Sequence, residues 1–351
     1  MQDNSVQRFI LPIKLEMEPM ERLLVASFKG DGEFDGFEPQ WFDDPTNGTG
    51  MRFLRYRKDK TVDVYWQKGV QSAGFALGAG IHDFSETQFE DARFELTPNG
   101  VDVHVVFTDV QGRRVELTIL EHIKNKRDFH FLAPVGSGVE NPDKLFFVHM
   151  LGFNFTPVHN TQVKAGVGER ALAMDTLPMP FNLHKVYMIR YCSRPVIAAL
   201  NHDLTQPLLF EAAPSCTVHT EGMAIVLDEA GRVSQLSAGK DDCRAELHFS
   251  PSFPDLGSIA DNSRAAGSFT VYIAGEEITG GSYGIHRVGN EAAVELKPTK
   301  PWHPLKVPVG FRLTMKMIKL FTHWPTTYRW SGVVSLTGEH TIAGGWERTD
   351  T

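Results

Sequence analysis

Residues 94–121 read FELTPNGVDVHVVFTDVQGRRVELTILE, and this stretch decides the fold class. Pro98-Asn99-Gly100 separates FELT from VDVHVVF, and Gln111-Gly112 separates VVFTDV from RRVELTILE. Gly at each turn supplies a residue that tolerates positive φ, while the flanking segments alternate apolar and polar side chains with the period of a strand. Strands joined by such short turns pair antiparallel and need no crossover helix.

Outward from this stretch, runs of four to ten residues rich in Val, Ile, Phe, Tyr and Thr recur between Gly, Pro, Asn and Asp clusters. About twenty of them are expected to be strands, including 22–28, 51–57, 61–67, 145–155, 185–191 and 195–200, with few helices. Doubly wound α/β folds and TIM barrels are excluded, because they require a helix after nearly every strand. Of two helix candidates, 253–266 has poor apolar spacing. The other, 316–321, continues an alternation of Phe311, Leu313, Met315 and Met317 with Arg312, Thr314 and Lys316, so it is expected to be a strand that coils after Met317. Residues 100–113 and 222–232 share a strand, an acidic turn and Gly-Arg, as either generic hairpin chemistry or a repeat of two equivalent β units would give.

The chain has 351 residues and a net charge of −8. That length suits two domains, 1–205 and 206–351, divided near Asn201–Pro207. The acidic balance excludes nucleic acid as the main partner. Two short basic clusters (Arg52, Arg55, Arg57, Lys58, Lys60; Lys124, Lys126, Arg127) read as solvated strand ends and turns. No stretch approaches the roughly 18 apolar residues of a membrane span, and the opening residues lack a signal-peptide pattern. Cys192, Cys216 and Cys243 have no CxxC spacing, as expected of reduced thiols in a cytoplasmic protein. Among the aromatics 24 are Phe and only 7 are Tyr, alongside 11 Met, a balance that suits an apolar pocket more than a polar groove.

The length, the nearly all-β reading and a two-unit organisation are similar to the tandem lipocalin-like β-barrel proteins, the broad group that includes carotenoid hydratases and tocopherol cyclases. Gly48-Thr49-Gly50 leading into RFLRY and VDVYW, and the late Gly280-Gly281-Ser282-Tyr283-Gly284, carry the resemblance. The lipocalin Gly-x-Trp opening is missing, and Gly344-Gly345-Trp346 has the wrong spacing. The resemblance implies two lipocalin-like antiparallel β-barrels packed side by side and an apolar ligand. It assigns no catalytic residues.

Candidate site residues come from three segments. LFFVHMLGFNF (145–155), if extended, places Phe147, His149, Leu151, Phe153 and Phe155 on one face and Phe146, Val148, Met150, Gly152 and Asn154 on the other. Both faces are apolar, so the strand should be covered on both sides. His149 and Asn154 then need hydrogen-bond partners. His149 reads as a general acid or base facing a ligand, or as a core histidine bonded to a backbone carbonyl. In 61–67, Asp63 and Tyr65 share a face and could grip a ligand hydroxyl or move a proton, while on a solvent face the same pair is ordinary. Tyr187, Ile189 and Tyr191 align on one strand, with His184 at its start.

The expected function is binding of a largely apolar, terpenoid- or polyketide-like small molecule, with acid/base hydration, cyclisation or isomerisation by His149, Asp63, Tyr65 and Tyr187. Phe147, Phe153, Phe155, Asn154, Trp66, His184 and Tyr191 are expected to line the ligand site. Fourteen histidines are scattered without an HxH or HExxH pair, so no metal or cofactor is expected, although distant ligands can converge in β folds. There is no Walker A loop. The alternatives are a carbohydrate-acting β-sandwich with a groove of Trp, Tyr and carboxylates, and a non-catalytic carrier.

Overall fold

Strands Phe89–Thr97, Gly100–Thr108 and Arg114–Glu121 form the antiparallel ladder that the hairpin chemistry dictates, with Thr97 opposite Gly100 and Arg114 opposite Thr108. The computed structural model describes residues 7–72, 75, 80–123, 128–178, 185–202, 204–240, 243–303, 307, 312–313, 315–316 and 318–349. At the second turn Asp109 Oδ1 accepts the amides of Gln111 and Arg113 at 3.0 and 2.8 Å, and Gly112 has φ +77°. The hairpin between Met223–Leu227 and Val233–Ala238 turns the same way. There Asp228 Oδ1 accepts the amides of Ala230 and Arg232 at 2.9 and 2.8 Å, with Gly231 at φ +68°. An aspartate capping its own turn accounts for the similarity of the two segments.

Those three strands continue through Thr161–Val167 and Arg170–Ala171 into a five-stranded sheet. It packs on a larger sheet with the order Phe129–Ala133, Leu145–Pro157, Val186–Leu200, Arg22–Ser27, Phe34–Asp44, Gly48–Arg57, Val62–Trp66, Ile81–Glu86. Leu15–Glu18 also pairs with Val186–Leu200. A third sheet is a meander from Thr217–Thr220 to Ile342–Arg348, each strand paired with the next. Gln7–Leu11 pairs with Leu208–Ala212, which ties together the chain on either side of residues 205 and 206. The all-β class expected from the sequence is what is found, but among the described residues none of the sheets is closed into a barrel.

Two cores result. Leu24, Phe37, Phe53, Tyr65 and Ile189 of the large sheet meet Phe94, Val105, Phe107 and Leu117 of the five-stranded sheet. A second core joins Phe147, Leu151, Cys192 and Leu200 to Leu236, Leu247, Val271 and Trp330 of the meander. Val186–Leu200 serves both, with Ile189 and Tyr191 in the first core and Cys192, Val196 and Ala198 in the second. Leu145–Pro157 is covered on both sides, as its two apolar faces require.

The strand expected to coil after Met317 is overturned. Residues 312–313 and 315–316 are helical and Lys319–His323 is a short helix, while Phe311, Thr314 and Met317 lie outside the described residues. Period-2 alternation over so few residues did not outweigh the helical face shared by Leu320 and Phe321, which both reach the large sheet's cavity. No described helix is long and apolar enough to cross a membrane.

Candidate functional site

Strand Phe34–Asp44, FDGFEPQWFDD, has a composition that reads as a loop: four acids, a glycine and a proline in eleven residues. It is nonetheless an interior strand, paired with Arg22–Ser27 on one side and Gly48–Arg57 on the other. The ladder toward Arg22–Ser27 pairs Leu23 with Gln40 and Ala26 with Phe37, and Pro39 falls in the gap between them. Alternation then sends Phe37 into the core between the sheets and Glu38 and Gln40 to the opposite face. On the partner strand Arg52, Leu54 and Tyr56 share that face, with Gln40 opposite Arg52 and Glu38 opposite Leu54.

This face bounds a half-open cavity of about 410 Å³. Its apolar walls come from Leu23, Val25 and Leu54, from Phe131, Phe146, Val148, Met150 and Phe153, and from Phe75, Leu320 and Phe321. The polar patch is a chain of short bonds. Tyr56 Oη donates to Glu38 Oε2 at 2.6 Å, Gln40 Nε2 donates to Glu38 Oε1 at 2.6 Å, and Arg52 Nε donates to Gln40 Oε1 at 2.8 Å. Arg52 also lies over the rings of Phe42 and Phe75, at 4.7 and 4.0 Å from their centroids. Arg190 completes the patch and donates to Ser27 Oγ at 3.0 Å.

Burial pushes the Glu38 carboxyl above its ordinary value, against the hydrogen bonds from Tyr56 and Gln40 and the charges of Arg52 and Arg190. Burial, reinforced by Glu38, raises the Tyr56 phenol well above its usual range. Burial pushes Arg52 down to about 10, leaving it protonated at neutral pH. Val25, Glu38, Tyr56 and Arg190 also line a second hollow of about 380 Å³, whose other walls include Ser27, Asp35, Arg57, Lys60 and Thr61. Glu38 and Tyr56 therefore stand where an apolar space meets a polar one.

Of the residues expected from the sequence, Phe153 lines this cavity. The alternation expected for 145–155 is correct up to Met150, with Phe146, Val148 and Met150 toward the cavity, and is reversed after it. Phe129 pairs with Phe153 and Phe131 with Met150, so a bulge at Leu151-Gly152 flips the parity. Gly152 has φ +67°, and a Cβ there would lie 2.0 Å from Ser193 Oγ. Phe147 and Phe155 pack in the second core, Asn154 donates to Asp128 Oδ1, and Tyr191 donates to Glu121 Oε2 at 3.1 Å in the core between the sheets. Tyr187 packs on the edge of that core, and Trp66 packs against Phe84 and the small cluster of Leu54, Val62 and Val64. His184 lies outside the described residues.

Asp63 and Tyr65 share a face as expected, but it is fully buried and not the solvent face. They belong to a charged network around Arg55, whose guanidinium reaches Asp63 at 2.8 Å, Asp109 at 2.9 Å and Tyr65 Oη at 2.9 Å. Arg52 and Arg55 are thus buried and not solvated as the basic cluster suggested, whereas Lys58 and Lys60 are exposed. Lys124, Lys126 and Arg127 lie outside the described residues. The signal for Glu38, Gln40, Arg52 and Tyr56 was an arginine on each face of RFLR, facing a strand that carries an acid and an amide. A chain-local reading missed it, because an interior strand with Pro39 was not anticipated.

The scattered histidines converge in two places. Asp63, His82 and Asp83 bring three ligand atoms within 4.8 Å of one another, as do His130, His149 and Glu276. In the first group Arg55 and Arg57 already contact Asp63, at 2.8 and 3.2 Å, and a metal ion would have to enter beside buried positive charge. In the second, His130 Nδ1 stands 2.6 Å from Glu276 Oε1 and His149 Nε2 stands 3.3 Å from Glu276 Oε2. His149 faces the meander and lies away from the cavity. Comparison with protein-family models, with curated proteins and with solved structures finds no match for this chain.

Proposed function

We propose that the protein binds a largely apolar small molecule with one polar end in the 410 Å³ cavity, and moves a proton on it through the Glu38–Tyr56 pair. The observation that carries this reading is a carboxyl raised by burial, hydrogen-bonded to a phenol, on the wall of an otherwise apolar cavity. Such a carboxyl keeps its proton to higher pH than a free glutamate, which is what a general acid for hydration, cyclisation or isomerisation needs. Arg52 and Arg190 supply fixed positive charge for a polar end or for negative charge that develops during reaction. The polar hollow on the other side of Glu38 gives the acid access to water for reprotonation. The cavity volume lies within the roughly 300–1,000 Å³ of small-molecule sites. An apolar ligand is also what the resemblance to the lipocalin-like proteins implies.

A carbohydrate groove would present Trp and Tyr platforms with several open carboxylates, whereas Phe75, Phe131, Phe146, Phe153 and Phe321 dominate the lining here. Native mass spectrometry with organic extraction of the purified protein tests the binding half of the proposal. A copurifying apolar molecule is the expected result, and a ligand-free protein that takes up none of a panel of terpenoids and polyketides overturns it. With the ligand in hand, Glu38→Gln separates an enzyme from a carrier, because only an enzyme loses turnover while keeping affinity.

A further inference from the structure

His130 and His149 come from adjacent strands of the large sheet, and Glu276 opens the strand Glu276–Val288 of the meander. The three ligand atoms lie within 4.8 Å of one another at the seam between the two sheets, outside the proposed ligand cavity. His149 is fully buried, while His130 and Glu276 keep 27% and 13% of their side chains exposed, so an ion has a way in. We propose that His130, His149 and Glu276 form a divalent transition-metal site that clasps the large sheet to the meander.

Two imidazoles and a carboxylate are the donor set suited to a Zn²⁺-like ion of borderline softness. With metal–ligand bonds of about 2.0–2.2 Å, adjacent donors of a tetrahedral site stand about 3.4 Å apart. His149 Nε2 and Glu276 Oε2 already stand at 3.3 Å. His130 Nδ1 and Glu276 Oε1, at 2.6 Å, are at hydrogen-bond length with a proton between them. The ion takes the place of that proton, and the two atoms move apart by less than an ångström, which the partly exposed His130 allows. Glu276 binds through one of its two oxygens, which a turn of the carboxylate brings to both imidazoles, and a water fills the fourth position. The Asp63, His82 and Asp83 group meets the same distance criterion but carries the Arg55 and Arg57 contacts, so it serves as the internal control.

The test is titration of the metal-free full-length protein with Co²⁺, read by the d–d absorption of a low-coordinate site, and then with Zn²⁺ in competition. One equivalent of Co²⁺ is expected to bind with nitrogen-rich, low-coordinate bands, to be displaced by Zn²⁺, and to raise the melting temperature. His130→Ala and Glu276→Gln should each weaken binding by at least about 100-fold, since loss of even an outer-shell partner costs about 10–100-fold. His82→Ala should leave it unchanged. Because His149 is in the core and its removal can unfold the chain, the decision rests on the two partly exposed ligands, with far-UV circular dichroism confirming that each variant is folded. Absence of binding at tens of micromolar Co²⁺, binding that survives in both variants, or binding abolished by His82→Ala overturns the proposal.

Discussion

Tyr56 Oη lies 2.6 Å from Glu38 Oε2, bridging adjacent strands whose register sets Glu38 opposite Leu54 and Tyr56 opposite Gly36. The bond runs diagonally across the ladder on the face that bounds the cavity. If this pair carries the proton, Glu38→Gln should lower turnover by about 10²–10⁴-fold while ligand affinity changes little. Tyr56→Phe should lower turnover less, because Gln40 still holds the carboxyl in place. Separate measurements of kcat and Kd check both, and unchanged kcat in Glu38→Gln removes the assignment.

Stability should depend on pH with opposite signs at two carboxyls. Burial raises the folded-state pKa of Glu38, so its contribution is fully favourable below the unfolded-state value, roughly 4.3, and is lost as pH rises through the folded-state value. Glu38→Gln should therefore melt higher than the parent at neutral pH and equally at about pH 4. Burial alone would raise Asp109 too, but the Arg113 amide and Arg55 outweigh it and lower the value. Its stabilisation is present above the unfolded-state pKa and is lost as pH falls through the folded-state one. Asp109→Asn should melt lower than the parent at neutral pH, with the gap closing in acid. Thermal melts across this range read both effects.

Arg55→Ala should be among the most damaging single substitutions. It would leave Asp63 and Asp109, both fully buried, without the guanidinium that contacts them at 2.8 and 2.9 Å. Breaking a buried ion pair from one side costs about 3–5 kcal/mol, which urea denaturation would resolve.

Gly152→Ala should cost about 1–3 kcal/mol, through a positive φ and a Cβ placed 2.0 Å from Ser193 Oγ. The double variant Gly152→Ala/Ser193→Ala should recover part of that loss by removing the clash but not the backbone strain. Ligand affinity should fall with it, because the bulge turns Phe153 into the cavity. Denaturation and binding measured on the same variants separate the two effects.

Thiol labelling should distinguish the three cysteines. Burial pushes the Cys192 thiol up to about 12, and its Sγ donates to Leu151 O at 3.0 Å. Cys216 and Cys243 are only partly buried. A thiol reagent at neutral pH should modify those two in the native state and reach Cys192 only on unfolding, as peptide mapping would show.

What the sequence determined by itself is the class: all-β and largely antiparallel, with a strand covered on both sides at 145–155; Val62–Trp66 and Ile81–Glu86 pair parallel, which no local pattern announced. Turn residues and period-2 alternation are local properties, so Pro98-Asn99-Gly100 and Gln111-Gly112 announce their hairpins without help from the rest of the chain. His149 was legible as a residue that must be buried or functional, whereas Asp63 and Tyr65 read as readily as an ordinary solvent-face pair, and the surroundings of all three were not legible. Tertiary structure alone decided which polar groups face empty space. Glu38 sits on a strand whose proline and acids argue against a strand, and it is an interior strand because apolar partners from 22–27 and 48–57 flank it. A single bulge at Gly152 reverses which side of the Phe-rich segment looks into the cavity. Arg190 and Tyr56 meet on the same wall, and His130, His149 and Glu276 meet at one seam, because sheet pairing and packing act between residues far apart in the chain. No local pattern encodes those distances, since the free energy that sets them is the burial of side chains from sequence-distant strands.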